Sequence, residues 1–158
     1  MLRISRLTDY ATVLLAALAG EPARVQTAAA LAEQTRIAAP TVCKLLKQLQ
    51  RAGLVISTRG LHGGYQLSRP ATQISAAAIL DALEGPVALT DCSVGHGHCE
   101  IEESCRVSRV WQRLNLAIRR SLHEVSLAQL AGLDVAPVRW PTLEREMKAA
   151  AVRPPVRS

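Results

Sequence analysis

Phenylalanine is absent from this 158-residue chain, and aromatic residues make up only 3% of it. The 49% of residues that are hydrophobic must therefore build a core from Leu, Val, Ile and Ala, which suits packed helices. The longest apolar stretches, such as Ala11 to Ala19, fall well short of the roughly 20 residues needed to cross a bilayer, so no membrane span is expected. The opening MLRISRLTDY has no apolar run followed by a small-residue cleavage site, and no secretory signal is read in it. A cytoplasmic location is the resulting expectation, where thiols stay reduced. The length allows one domain, or a domain plus an arm, and excludes a two-domain catalytic scaffold. Ser-His-Asp, paired-carboxylate and phosphate-loop patterns are also missing; GLHGG is not a G-x-x-x-x-G-K-[ST] loop. Nothing here points to an enzyme.

Charge is just as uneven. No Lys or Arg occurs between Ala71 and Cys105, where six acids, Asp81, Glu84, Asp91, Glu100, Glu102 and Glu103, give −6. Residues 1–70 hold nine basic and three acidic side chains, and residues 106–158 hold ten and four, so each of these regions carries +6. A basic N-terminal half suits a polyanion, because each phosphate neutralised releases condensed counterions.

The same half has a recognisable organisation. Leu7, Val13, Leu14, Ala17 and Leu18 fit one face of a helix over about Leu7 to Ala19, stopped by Gly20 and Pro22. Thr27 can cap a second helix from Ala28 to about Gln34, and Thr35, Arg36 and Ile37 make a tight connection. Pro40 sits in a tolerant first turn, and Val42, Leu45, Leu46 and Leu49 repeat at helical spacing along Thr41 to Arg51, ended by Gly53. Lys44, Lys47, Gln48 and Arg51 lie off that apolar stripe, as a recognition helix requires. Leu54 to Ile56 and Tyr65 to Leu67 read as two strands joined by RGLHGG, a wing whose tip presents Arg59 and His62 on a glycine-rich turn. Those glycines would let the backbone come close to a phosphate. The predicted fold class is mainly α with a small β-wing: a winged helix-turn-helix over 1–70, a cysteine loop and dimerisation helix over 71–133, and a loosely ordered basic tail over 134–158.

Downstream, Ser75 caps a predicted short helix ending near Glu84. Val107, Trp111, Leu114, Ile118, Leu122 and Val125 then mark a helix of about five turns with one apolar stripe. A second copy of the same helix is the expected cover, giving a symmetric dimer matched to paired half-sites; packing back on its own domain is the other possibility. Ser126 caps a last short helix ending near Gly132.

Between these helices Cys92, Cys99 and Cys105 are spaced C-x6-C-x5-C, with Gly95 and Gly97 among them. Three thiolates on a loop that can wrap a ligand suit an iron–sulfur cluster needing one further ligand. A zinc ion completed by His96 or His98 and a thiol switch are the alternatives, although the C-x2-C pairs of a zinc knuckle are missing. Cys43, on the predicted recognition helix, is expected to be a half-buried packing residue.

Taken together, MLRISRLTDYA, the helix-turn-helix, the wing RGLHGGYQL and the three cysteines before a long helix resemble the iron–sulfur winged-helix regulators of the IscR and NsrR type. The opening LRISRLTDYAT is most similar to regulators of the SUF iron–sulfur assembly operon. The resemblance runs from Met1 to about Leu133. It implies a homodimeric repressor that binds operator DNA, with an iron–sulfur cluster, [2Fe-2S] in preference to [4Fe-4S], setting its affinity. Family DNA contacts fall on Pro40, Thr41 and Lys44 and on Arg59, Gly63, Gly64 and Tyr65; Lys47, Gln48 and His62 join them from the residue pattern. IscR-like members have a histidine ligand where this chain has Ser108. NsrR-like members use an aspartate of the partner subunit instead, and Asp9 occupies the matching place in LTDYA. Asp9 is thus the first choice as fourth ligand beside Cys92, Cys99 and Cys105, ahead of His96 and His98. Some members carry a recognition-helix glutamate where Cys43 stands, so their cluster-dependent change of DNA preference is not carried over.

Overall fold

The computed structural model describes residues 4–90 and 107–136. Six helices and a hairpin follow in the order α1 (Arg6–Gly20), α2 (Ala28–Thr35), α3 (Ala39–Arg51), β1 (Val55–Thr58), β2 (Gly64–Leu67), α4 (Ala76–Glu84), α5 (Ser108–Glu124) and α6 (Leu127–Leu130). A single 3-10 turn, Ala71–Gln73, leads into α4. Four helices begin as their sequences predict or nearly so, each on a hydroxyl cap: Ser5, Thr27, Ser75 and Ser126 accept from the backbone N–H three residues on. Ser126 and Gln129 complete a reciprocal capping box.

Leucine fills the core. Leu14, Leu15 and Leu18 of α1, Leu31 of α2 and Leu45, Leu46 and Leu49 of α3 are buried together with Ile74, Ile79 and Leu127. The core therefore draws on residues beyond Pro70, and α4 and α6 pack directly against α1. One expectation for α1 needs correcting: Leu7 is 39% and Val13 41% exposed, while Thr8, Ala11, Leu15 and Ala19 are buried. Val13 stands about 100° around the axis from Leu14, off the face that meets the core. Leu7 lies in the first turn, at the margin of the packed layer.

The segment before α4 is tied to the end of α5. Ser75 bridges Ser126 in antiparallel fashion, with Ala76 N–H donating to the Val125 carbonyl at 2.8 Å and Leu127 N–H to the Ile74 carbonyl at 2.7 Å. Helix α5 meets α4, and its buried residues, Ser108, Asn115, Ala117 and Ser121, are small or polar and fall on two sides of the helix, Ser108 with Asn115 and Ala117 with Ser121. Arg119 pairs with Asp81 across this joint at 3.2 Å, and Asn115 Oδ1 accepts from the Leu89 N–H at 3.2 Å. Val107, Val110, Trp111 and Leu114 remain exposed, with Ile118 and Leu122 only half-buried and Val125 buried. The helix does lie on its own domain, through the C-terminal half of its apolar stripe, while the N-terminal half from Val107 to Leu114 stays exposed. Among the described residues no helix is long and apolar enough to cross a membrane.

The start of α1 is held by the end of α4. Glu84 Oε1 accepts from the Ser5 N–H at 2.9 Å and from the Thr8 hydroxyl, so a carboxylate supplements the Ser5 cap at the positive end of α1. The Thr8 hydroxyl above all, then the Ser5 amide, favour the charged form and hold the Glu84 carboxyl below its ordinary 4.5. A carboxyl whose folded-state value is depressed stabilises the fold above its unfolded value, and that contribution disappears as pH falls through the folded one. Thermal unfolding from neutral pH downward should show the wild type losing stability more steeply below 4.5 than Glu84→Gln, which keeps an acceptor without the charge. Parallel curves would remove Glu84 from this role.

Candidate nucleic-acid interface

Helix α2 and helix α3 are joined by three residues outside either helix, Arg36, Ile37 and the Ala38 cap. Thr35 closes the end of α2 by donating its hydroxyl to the Leu31 carbonyl at 2.6 Å. Arg36 then turns the chain in the left-handed region, φ 57° and ψ 26°, and Ile37 drops into the core. Buried Ile37 on one side and the Val42–Leu45–Leu46–Leu49 stripe on the other fix how α3 lies.

With that stripe inside, the opposite face must be outside. At about 100° per residue, Pro40, Cys43, Lys44, Lys47 and Arg51 share one arc, and all five are exposed. Thr41 and Gln48 fall on the flank of the arc and are half-buried. The Gln48 Oε1 is fully shielded and has no hydrogen-bond partner among the described residues, so this side chain is less available than the spacing suggested. Cys43 corrects the expectation of a packing residue: it is an exposed free thiol, because a position three beyond Pro40 and four before Lys47 belongs to the outer arc. The wheel of α3 itself was the signal that could have found it. The first turn of α3 has no side-chain cap on its Ala38 position, and Ala38, Ala39 and Pro40 are exposed. Pro40 has no N–H, however, and the Thr41 N–H donates to the Ala38 carbonyl at 2.9 Å, so little of the usual helix-start donor set is left for an anion.

The wing extends from the end of α3. Strands β1 and β2 pair antiparallel with Val55 opposite Leu67 and Thr58 opposite Gly64, and Gln50 Nε2 donates to Ser57 Oγ at 2.9 Å. Gln26 adds a third short pairing through two main-chain bonds to Tyr65, 2.9 and 2.8 Å. A Cβ at Gly64 would stand 2.5 Å from the Gln26 carbonyl oxygen, and one at Gly63 would collide with the Thr58 carbonyl oxygen. Both glycines are thus demanded by the packing of the wing itself, a reason the sequence did not reveal. Tyr65 is half-buried against the core. Arg59, Leu61 and His62 stand exposed at the tip, with Leu61 at 96%, where Gly60 takes φ 113°.

The cations of this face are unpaired, as are Arg6, Arg109 and Arg120 elsewhere among the described residues. Arg24 is neutralised by Glu21 at 3.0 Å and Arg119 by Asp81, whereas Arg36, Lys44, Lys47, Arg51 and Arg59 form no ion pair among the described residues. Unpaired cations around a helix face and a hairpin tip are a footprint for phosphate.

The other predicted site is not brought into view. Cys92, Cys99 and Cys105, with His96 and His98, lie outside the described residues, as does the tail from residue 137. Asp9 is described: it is exposed in the first turn of α1. Ser5, not Asp9, accepts the capping bond, which leaves the Asp9 carboxylate without a side-chain partner among the described residues. No group of three metal-binding side chains occurs among the described residues.

Comparison with known proteins agrees with this geometry. A family model described as Rrf2, iron-dependent transcriptional regulator, matches residues 4–132. A Haemophilus influenzae protein named as an HTH-type transcriptional regulator is 35% identical over 100 residues, spanning 63% of this chain and 66% of that protein. The structure of CymR, the global cysteine regulator of B. subtilis, superposes with a TM-score of 0.65 at 27% identity, covering 85% of this chain and 99% of that one. IscR of T. potens shares the fold, with a TM-score of 0.58 at 23% identity over 97% and 93% of the two chains.

Single replacements Lys44→Ala and Lys47→Ala should each weaken binding to duplex DNA and flatten the slope of log affinity against log salt by about 0.9. Thermal stability should move by less than about 0.5 kcal/mol, as for other exposed positions. Fluorescence anisotropy across a salt series measures the first; unchanged slopes in both variants would place the DNA elsewhere.

Proposed function

This chain belongs to the Rrf2 family of DNA-binding transcriptional regulators and is not an enzyme, and we propose that it is a cytoplasmic homodimeric repressor whose operator affinity is set by an iron–sulfur cluster. The observation that carries this reading is where the cysteine segment begins and rejoins the fold. Leu89 is pinned to Asn115 in the middle of α5, and the chain returns at Val107, the residue before α5 starts. These two points lie roughly 12 Å apart along one helix. Whatever Cys92, Cys99 and Cys105 hold is therefore attached at both ends to the helix whose apolar face is uncovered from Val107 to Leu114.

A second copy of α5 is the cover we assign to Val107, Val110, Trp111 and Leu114, since a symmetric pair buries the same patch on both subunits. Pairing would set the spacing of two α3 helices, and operator half-sites accept only one such spacing. Three thiolates and a carboxylate form a donor set suited to a cluster, and Asp9, exposed and with no side-chain partner among the described residues, would be able to reach a partner subunit. When bound, the cluster supplies a link that oxidation, nitric oxide or iron shortage removes. Around it, the chain's own part is mechanical: α5 holds the segment through Asn115, Arg119 ties α5 to α4 through Asp81, and α4 holds α1 through Glu84. Any shift at the cysteines reaches the core that orients α3 along these contacts. On DNA, Pro40, Thr41, Lys44, Lys47 and Gln48 would meet the major groove, while Arg59, His62, Gly63, Gly64 and Tyr65 bring the wing to the flanking backbone. The opening sequence favours promoters of SUF-type iron–sulfur assembly genes.

A second reading, a thiol- or zinc-sensing regulator, is favoured by the likeness to CymR, the global cysteine regulator of B. subtilis. The full chain purified without air separates the two readings. Iron, labile sulfide and a visible chromophore should be present, and DNA affinity on an iron–sulfur assembly promoter should change at least tenfold, a coupling of about 1.4 kcal/mol, when iron is removed. Zinc alone, or equal affinities of the two forms, would refute cluster control.

A further inference from the structure

We propose that Arg36, at the turn between α2 and α3, is a DNA-phosphate anchor kept at the expense of backbone strain. Five described residues have positive φ: Arg36, Gly53, Gly60, Gly85 and Gly132. Four of the five are glycine, the residue with no Cβ to clash in that conformation. Among the described residues, position 36, with φ 57°, is where the chain places a large side chain although glycine would be easier to accommodate.

The fold gains little from this arginine. Its side chain is exposed and makes no hydrogen bond or ion pair among the described residues. Glu33, one turn back on α2 and within ordinary reach of such a pair, is exposed and not engaged with it. A cation just past the end of α2 does complement that helix's negative pole, but α2 has only eight residues, and a lysine there would serve equally.

Position and chemistry point to a phosphate instead. Arg36 stands two residues before the Ala38 cap of α3 and four before Pro40, beside the uncapped helix start. The start of a recognition helix enters the major groove, so the turn just before it passes the groove's bounding phosphates. A guanidinium presents a planar fork that matches phosphate oxygens. With Lys44 and Lys47 on the helix and Arg59 on the wing, Arg36 would supply a further backbone contact on the turn's side of α3. Such a contact positions the helix and carries no base preference.

This inference rests on α3 and the wing being the DNA-contacting face. The test uses the full chain and its Arg36→Gly and Arg36→Lys variants, with thermal unfolding and anisotropy on a fluorescent duplex over a salt series. Arg36→Gly should move the two readouts in opposite directions: the unfolding midpoint rises by about 3 °C as strain is relieved, while affinity falls roughly tenfold and the log–log salt slope flattens by about 0.9. Arg36→Lys should keep the wild-type slope. A glycine variant that is more stable yet binds with wild-type affinity and slope overturns the anchor, and so does one that loses stability, which would make Arg36 a structural residue. Wild-type binding that is itself insensitive to salt would instead sink the assignment of the DNA-contacting face.

Discussion

Burial of four side chains on one side of α3 governs what the rest of this molecule can do. Val42, Leu45, Leu46 and Leu49 are all at 0% exposure, each contributing about 2 kcal/mol of transfer free energy. A rotation of α3 that brought any of them into water would forfeit a sizeable fraction of a typical domain's stability. The orientation of Pro40, Cys43, Lys44, Lys47 and Arg51 is therefore not adjustable by those residues themselves. Leucine packing decides it, and the wing inherits it through the Gln50–Ser57 bond and the Gln26–Tyr65 pairing.

The second half of the chain is built on a contrasting joint. Where α3 meets the core through leucine, α5 is tied to α4 by the Arg119–Asp81 pair and to the segment after α4 by the Asn115–Leu89 bond. Polar contacts of this kind are directional and individually weak. They register the helix without locking it by area, and Trp111 stays exposed with Val107, Val110 and Leu114, the patch assigned above to the proposed dimer. Glu84 belongs to the same system, since its carboxylate joins the last turn of α4 to the first turn of α1. A rigid α3 with its wing and a more loosely pinned α5 suit the change of operator affinity proposed for this regulator.

Much of this was legible from residue order. The period of Val42, Leu45, Leu46 and Leu49 located α3, and the hydroxyl caps at Thr27, Ser75 and Ser126 placed helix starts to within a residue. Local chemistry determines those features, so a local pattern reveals them. The apolar stripe of α5 was equally readable, but which face would meet its own domain was not, because that depends on Asp81, Leu89 and other residues 26 or more positions away. The Glu84 contact spans 76 to 79 positions and has no local signature. The requirement for glycine at 64 arises from a carbonyl at Gln26, which a wing motif alone does not announce. Cys43 shows the opposite failure, where the helical wheel held the answer and a general preference of cysteine for burial obscured it.

The central claim is that leucine packing commits one face of α3, with the wing beside it, to DNA. Amide hydrogen exchange on the full chain, with and without duplex DNA, tests it without altering any residue. Slower exchange confined to residues 38–48 and 58–64 on adding DNA is the predicted outcome. Unchanged exchange in both segments while another surface becomes protected would contradict it.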